Sequence, residues 1–161
     1  MNENISQLAQ QLGHELLAKG WQISCAESCT GGGVGFAITT TAGSSAWFRE
    51  GFITYSNDAK QSLLGVSEQT LIDYGAVSAA TVEAMAVGAA RKANAEVAIA
   101  ISGVAGPGGG TLDKPVGTVW FGFFVQGEKI SQKHLFSGDR HGIRLQAIEF
   151  ALSNTLKLLS K

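Results

Sequence analysis

A chain of 161 residues suits one domain with its own core, and 45% hydrophobic against 16% charged residues is a globular composition. With 12 Lys+Arg against 13 Asp+Glu the formal net charge is −1, and no basic stripe appears, which argues against a nucleic-acid partner held through its phosphates. No apolar run approaches the ~18 residues of a membrane span, and Met1 to Gln11 lacks the layout of a signal peptide. No membrane partner and a cytoplasmic location are therefore expected.

Ile5, Leu8, Leu12 and Leu16 have the spacing of an amphipathic first helix, with Lys19 and Gly20 as its stop signals. Trp21 to Cys25 alternate as a short strand and run into Ala26-Glu27-Ser28-Cys29-Thr30-Gly31-Gly32-Gly33, followed by a helix from about Val34 to Thr41. Strand, polar-glycine turn, helix is a layout in which the helix start faces a ligand. Gly51 to Ser56 predicts a second strand, followed by a helix carrying Lys60, Leu63 and Leu64. Ser67 caps a short helix ending near Tyr74-Gly75, and Ser78 caps a longer one through about Lys92. Val97 to Ile101 is a continuous apolar run, as in a strand covered on both faces. A glycine-rich loop, Ser102 to Pro115, precedes a hairpin of Val116–Val125 and Lys129–Phe136 around Gln126-Gly127-Glu128. Leu145, Ile148, Leu152, Leu156 and Leu159 then mark a last helix over about Arg140 to Leu159. With no linker, repeat or low-complexity stretch, the reading is one domain over 1–161, an α/β sandwich with a mixed sheet.

Three polar turns follow strands: Ser28-Cys29-Thr30, Tyr55 to Lys60, and Ser102-Gly103. If those strands run parallel, the turns share the sheet edge where open α/β sheets bind ligands. Ser28 is a candidate nucleophile, but no histidine stands near these turns in sequence. Lys60 serves as its base only if the ammonium is partly neutral, which burial or a nearby cation would favour. The backbone N–H groups of Thr30, Gly31 and Gly32 are candidate oxyanion donors. Residue types alone leave open that Ser28 or Thr30 merely caps a helix and that Lys60 is solvated. Ser45 and Tyr55 either relay a proton or satisfy backbone groups. The Gly103–Gly110 loop matches neither a P-loop nor G-x-G-x-x-G, and is either an anion nest or a flexible loop. Arg140 and Arg144 oppose the dipole of the last helix, which suggests anion binding or a surface ion pair. Cys25 and Cys29 read as reduced thiols, and His14, His134 and His141 have no ligand-like spacing, so no metal is expected. The residues by themselves reach a candidate amide or ester hydrolase acting on a small anion.

The chain also resembles the CinA C-terminal domain family along nearly its full length. The matching stretches are Ala26 to Gly32, Ala42 to Phe48, Gly51 to Lys60, Gly75 to Ser78, Ile101 to Pro107, Lys114 to Trp120 and Phe136 to Arg140, in the family's order. The resemblance is to its stand-alone members. It implies a three-layer α/β/α sandwich with a mixed, mostly parallel sheet of about five strands. It further implies hydrolysis of the carboxamide of nicotinamide mononucleotide to nicotinate mononucleotide and ammonia, in pyridine-nucleotide recycling. Carried over, Ser28 is the nucleophile, Lys60 the general base, Ser45 and Tyr55 assist, and Arg140 binds substrate at its phosphate, with no cofactor. Thr30, Gly31, Gly32, Ser102 and Gly103 are expected to border the substrate. Many members have an additional N-terminal domain of molybdopterin-binding type; this chain begins with its first helix, so the pyrophosphatase activity of that domain is expected to be absent. A homodimer is expected, to close the cleft of so small a chain. Two alternatives stand beside this reading: a non-catalytic nucleotide-binding regulatory module, and an amidase acting on another small amide.

Overall fold

Asn2 opens the first helix by accepting the backbone N–H of Ile5 at 2.9 Å, and α1 (Glu3–Lys19) runs until Gly20 turns left-handed. The computed structural model that shows this describes residues 1–161. β1 (Ile23–Glu27) is buried throughout and leads to α2 (Gly33–Thr39). A single tight helical turn, Ser44–Ala46, precedes β2 (Phe48–Ile53). Ser56, Ser67 and Ser78 cap α3 (Asn57–Leu64), α4 (Glu68–Tyr74) and α5 (Ala79–Ala93) by accepting backbone N–H groups. β3 (Val97–Gly103) follows, then the hairpin of β4 (Thr118–Val125) and β5 (Glu128–Leu135), and α6 (Arg140–Leu159) closes the chain. Gln126 and Gly127 hold the hairpin's tight turn with φ of 48° and 89°.

Most elements lie where the periodicity places them, but β2 starts and ends three residues earlier than expected. Phe48 pairs with Ile23, and Ser56 is withdrawn from the strand to cap the helix that carries Lys60.

The sheet order is β2-β1-β3-β4-β5. β1 is parallel to both β2 and β3, β4 is antiparallel to β3, and β5 antiparallel to β4, so β4 alone opposes the common direction. Successive side chains on a strand face opposite sides. Ile23, Cys25, Val97, Ile99, Ile101, Phe121 and Phe123 accordingly join α1, α2 and α6 in a core of 24 buried residues. Ala26, Ala98 and Ala100, from the same strands, join α3, α4 and α5 in a core of 11. Two glycines set how close this second layer comes. A Cβ at Gly122 of β4 would run into the Val82 carbonyl of α5, and one at Gly88 of α5 into the Leu64 carbonyl at the end of α3. Backbone contact thus seats α5 on the sheet and α3 against α5. No helix is long and apolar enough to cross a membrane.

Candidate active site

Because β1, β2 and β3 are parallel, their C-terminal ends share one edge, as the chemistry requires. Glu27 pairs with Ile53 on one side and Ile101 on the other. One residue further, Ser28 therefore lies between Thr54 and Ser102, held by Ser28 N–H to Ile101 O (2.9 Å) and Thr54 N–H to Glu27 O (2.8 Å). Strand alternation turns Ser28 toward the α3–α5 layer, the side of Ala26. Lys60 comes from that layer, one turn past the Ser56 cap, and is only 2% exposed. Its Nζ donates to Thr54 O at 3.0 Å and to Ser28 Oγ at 3.2 Å. Burial holds its pKa below the ordinary 10.5, against a smaller opposing effect of the Cys29 thiol. A lysine so placed has an accessible neutral form, whose lone pair can accept the Ser28 proton while an N–H stays on Thr54 O.

Sequence reasoning missed Glu27. Its side chain faces the other layer, 1% exposed, and its carboxylate accepts Thr30 Oγ1–H at 2.6 Å, Val34 N–H at 2.8 Å and Gly35 N–H at 3.0 Å. It therefore pins the Ser28–Gly32 turn to the first turn of α2. The signal was present: an acid in an otherwise apolar buried strand needs partners, and Thr30 and the glycines supply them.

Gly31 N–H donates to Ser28 O at 3.0 Å and closes the turn, so among the expected oxyanion donors it is already occupied. The backbone N–H groups of Cys29, Thr30 and Gly32 donate to no group of the chain. Gly31 and Gly32 reach φ of 57° and 101°, a region that favours glycine. Cys29 is no rival nucleophile, since burial pushes its thiol up to about 11. Burial likewise raises the thiol of Cys25.

Tyr55 and Arg140 meet at the rim, both exposed: Arg140 donates to the Tyr55 hydroxyl at 3.1 Å and to Gly106 O in the glycine-rich loop at 2.8 Å. Arg144 donates to Cys29 O (3.0 Å) and Thr30 O (3.3 Å), bracing the Ser28 turn from α6. Ser102 is 2% exposed beside Ser28, and Gly103, at the end of β3, lies where a Cβ would strike Thr118 O and Val119. Ser45 is not brought to the site. It is exposed on the turn before β2, and Ile23 N–H, at the start of β1, donates to Trp47 O at 2.8 Å. In parallel strands what precedes β2 lies at the opposite sheet edge from Ser28, roughly 16 Å away at ~3.3 Å per residue. Within one chain Ser45 therefore takes no part in the Ser28–Lys60 pair, contrary to expectation.

Fold and site together define a three-layer α/β/α domain with a serine–lysine pair at the shared end of its parallel strands. The sequence profile of the CinA C-terminal domain matches residues 5–159, and the chain belongs to that family. It is 54% identical over 156 residues to nicotinamide-nucleotide amidohydrolase PncC of Enterobacter agglomerans, covering 96% of this chain and 95% of that one. It is 52% identical over 152 residues to the PncC of Escherichia coli K12, covering 94% and 92%. Among solved structures, competence/damage inducible protein CihA from Agrobacterium tumefaciens superposes with a TM-score of 0.95 at 40% identity, covering 100% of this chain and 98% of that one.

Proposed function

We propose that this protein is a nicotinamide mononucleotide amidohydrolase, releasing ammonia and nicotinate mononucleotide. The observation that carries the reading is the 3.2 Å contact of Lys60 Nζ with Ser28 Oγ, where burial favours the neutral amine. The name of the PncC relatives supports the choice of substrate. In the mechanism, Lys60 takes the Ser28 proton as Oγ bonds to the carboxamide carbon, and the oxygen anion that forms is met by free N–H donors among Cys29, Thr30 and Gly32. The Lys60 ammonium returns that proton to the leaving nitrogen, the C–N bond breaks, and ammonia departs. Water then adds to the acyl-serine ester, with its proton passing to Lys60. The ester C–O bond breaks and the proton returns to Ser28. Tyr55 and Arg140 border the entrance, with Ser102 and Gly103 beside the reacting serine.

The reading places the enzyme in the cytoplasm, in pyridine-nucleotide recycling, with a small-molecule substrate and neither nucleic acid nor membrane as partner. It includes a homodimer: Phe36 on α2, Ile53 at the end of edge strand β2 and Tyr55 beyond it are each more than half exposed. Sedimentation of the purified chain tests that assembly. The decisive assay is ammonia release from nicotinamide mononucleotide by wild type and Ser28→Ala side by side. Turnover in the wild type that is lost in the variant is expected. No turnover in either sinks the deamidase, and survival in the variant moves the nucleophile.

A further inference from the structure

The row that holds Ser28 continues across the whole sheet. On the α3–α5 side the register pairs Ser102, Trp120 and Lys133 on β3, β4 and β5, and Ser28 and Thr54, each one residue past the end of its strand, extend that row over β1 and β2. Neighbouring strands are ~4.8 Å apart, so Trp120 stands roughly 10 Å from Ser28. Between them, Ser102 is 2% exposed, and on the other side of Ser28 the fully buried Thr54 keeps its hydroxyl without a hydrogen-bond partner. Buried hydroxyls are ordinarily paired, so a lone one in this row points to a ligand.

Trp120 is the floor of a cavity of about 500 Å³, walled by Tyr74, Ser78, Ala79, Glu83 and Lys114. The first turn of α5 forms its roof. The Ser78 side chain takes the Thr81 N–H at 3.3 Å, while the N–H groups of Ala79 and Ala80 have no acceptor in the chain. Lys114 spends one N–H on Tyr74 O at 3.0 Å and has two left. Glu83 receives Ser131 Oγ–H on Oε1 at 3.1 Å, which leaves Oε2 free to accept. Two unpaired helix N–H groups beside an ammonium suit a phosphate. A carboxylate oxygen next to them suits ribose hydroxyls, and an indole suits a pyridine ring.

We propose that this cavity is the nucleoside-monophosphate half-site. The phosphate rests on Ala79 N–H, Ala80 N–H and Lys114, the ribose on Glu83, and the pyridine spans Trp120 and Ser102 so that its carboxamide reaches Ser28. The proposal rests on the deamidase reading and relocates the phosphate expected at Arg140, whose guanidinium is committed to Gly106 O and the Tyr55 hydroxyl. A cavity of about 400 Å³ beside Arg144 and His141 lies between α2 and α6, on the face away from the Ser28 hydroxyl, and Arg144 already serves two carbonyls.

The test compares nicotinamide mononucleotide with nicotinamide riboside, which lacks only the phosphate, in wild type, Lys114→Met and Arg140→Met. The readout is the ratio of kcat/KM for the two substrates, which a general loss of folded enzyme leaves unmoved. Lys114→Met is expected to lower that ratio at least about tenfold, as loss of a charge-assisted phosphate contact does. A ratio within about twofold of wild type, or one that collapses in Arg140→Met instead, overturns the half-site. If the wild type hydrolyses neither compound, the deamidase reading fails and calorimetric titration with nicotinate mononucleotide decides the half-site separately. Binding weakened about tenfold by Lys114→Met upholds it, and binding that is absent or unweakened overturns it.

Discussion

The two faces of the sheet are built from the same strands and differ in bulk. Toward α1, α2 and α6 the inner strands β1 and β3 present mainly isoleucine and valine; toward α3, α4 and α5 the same two strands present alanines and, past their C-terminal ends, hydroxyls, with Phe52, Trp120 and Phe124 of β2 and β4 flanking them. The bulky face supplies the larger share of apolar burial. The small face lets α5 settle on backbone at Gly122 and leaves space near the strand ends for a lysine side chain and a ligand. Stability and chemistry are thus divided by residue parity along β1 and β3, and the division can be broken by experiment.

Lys60→Ala is expected to have the largest effect, a fall in kcat of roughly a thousandfold or more, the scale of losing a general base. Its circular dichroism and Tm should stay near wild type, since the site lies off the main core; near-normal turnover would remove the lysine from the mechanism. Next, Ile99→Ala should cost about 2–5 kcal/mol in denaturant unfolding, whereas Ala100→Val, one residue on and facing the other layer, should cost about 1–3 kcal/mol through overpacking. Equal or reversed costs would break the contrast between the faces. Glu27→Gln turns an acceptor-only group into one with an NH₂ that faces donors. A loss of about 1–3 kcal/mol is expected, with kcat falling more than KM rises because the Ser28 turn loosens; an unchanged Tm and kcat would show that the turn holds itself.

The smallest effect is in the pH dependence. Lys60 has a folded pKa lowered below its unfolded value near 10.5, so between the two values the unfolded chain binds more protons. Its contribution to stability therefore rises with pH across that window, and kcat/KM rises as the amine loses its proton. Denaturant unfolding of wild type minus Lys60→Met, followed through alkaline pH, should show the stability difference climbing; a flat difference would mean that burial does not hold the lysine pKa down.

Much of this was legible in the sequence where local pattern suffices. α1, β3, the hairpin and α6 carry clear periodicity with strong stop signals, and Ser28 and Lys60 stood after strands whose parallel pairing brings them together. Ser45 failed for a topological reason: it precedes its strand while Ser28 follows one, and only the parallel pairing of β1 with β2 reveals that these are opposite ends. The early start of β2 was hidden because Arg49 and Glu50 break the apolar alternation on an exposed edge strand. Trp120 and Lys114 passed unremarked as site residues since their relation to Ser28 exists only in the register of β3 with β4.

Glu27 and Ser28 are consecutive, so the reactive hydroxyl and the carboxylate that anchors its turn point into different layers. Substitutions in the α2–α6 layer can alter how firmly the nucleophile is held while the surface that meets the substrate stays as it was. Substitutions in the α3–α5 layer can reshape substrate choice while the anchor is untouched. A lineage could then retune rigidity and selectivity by separate steps, provided that no insertion or deletion shifts β1 by a single residue and exchanges the two roles.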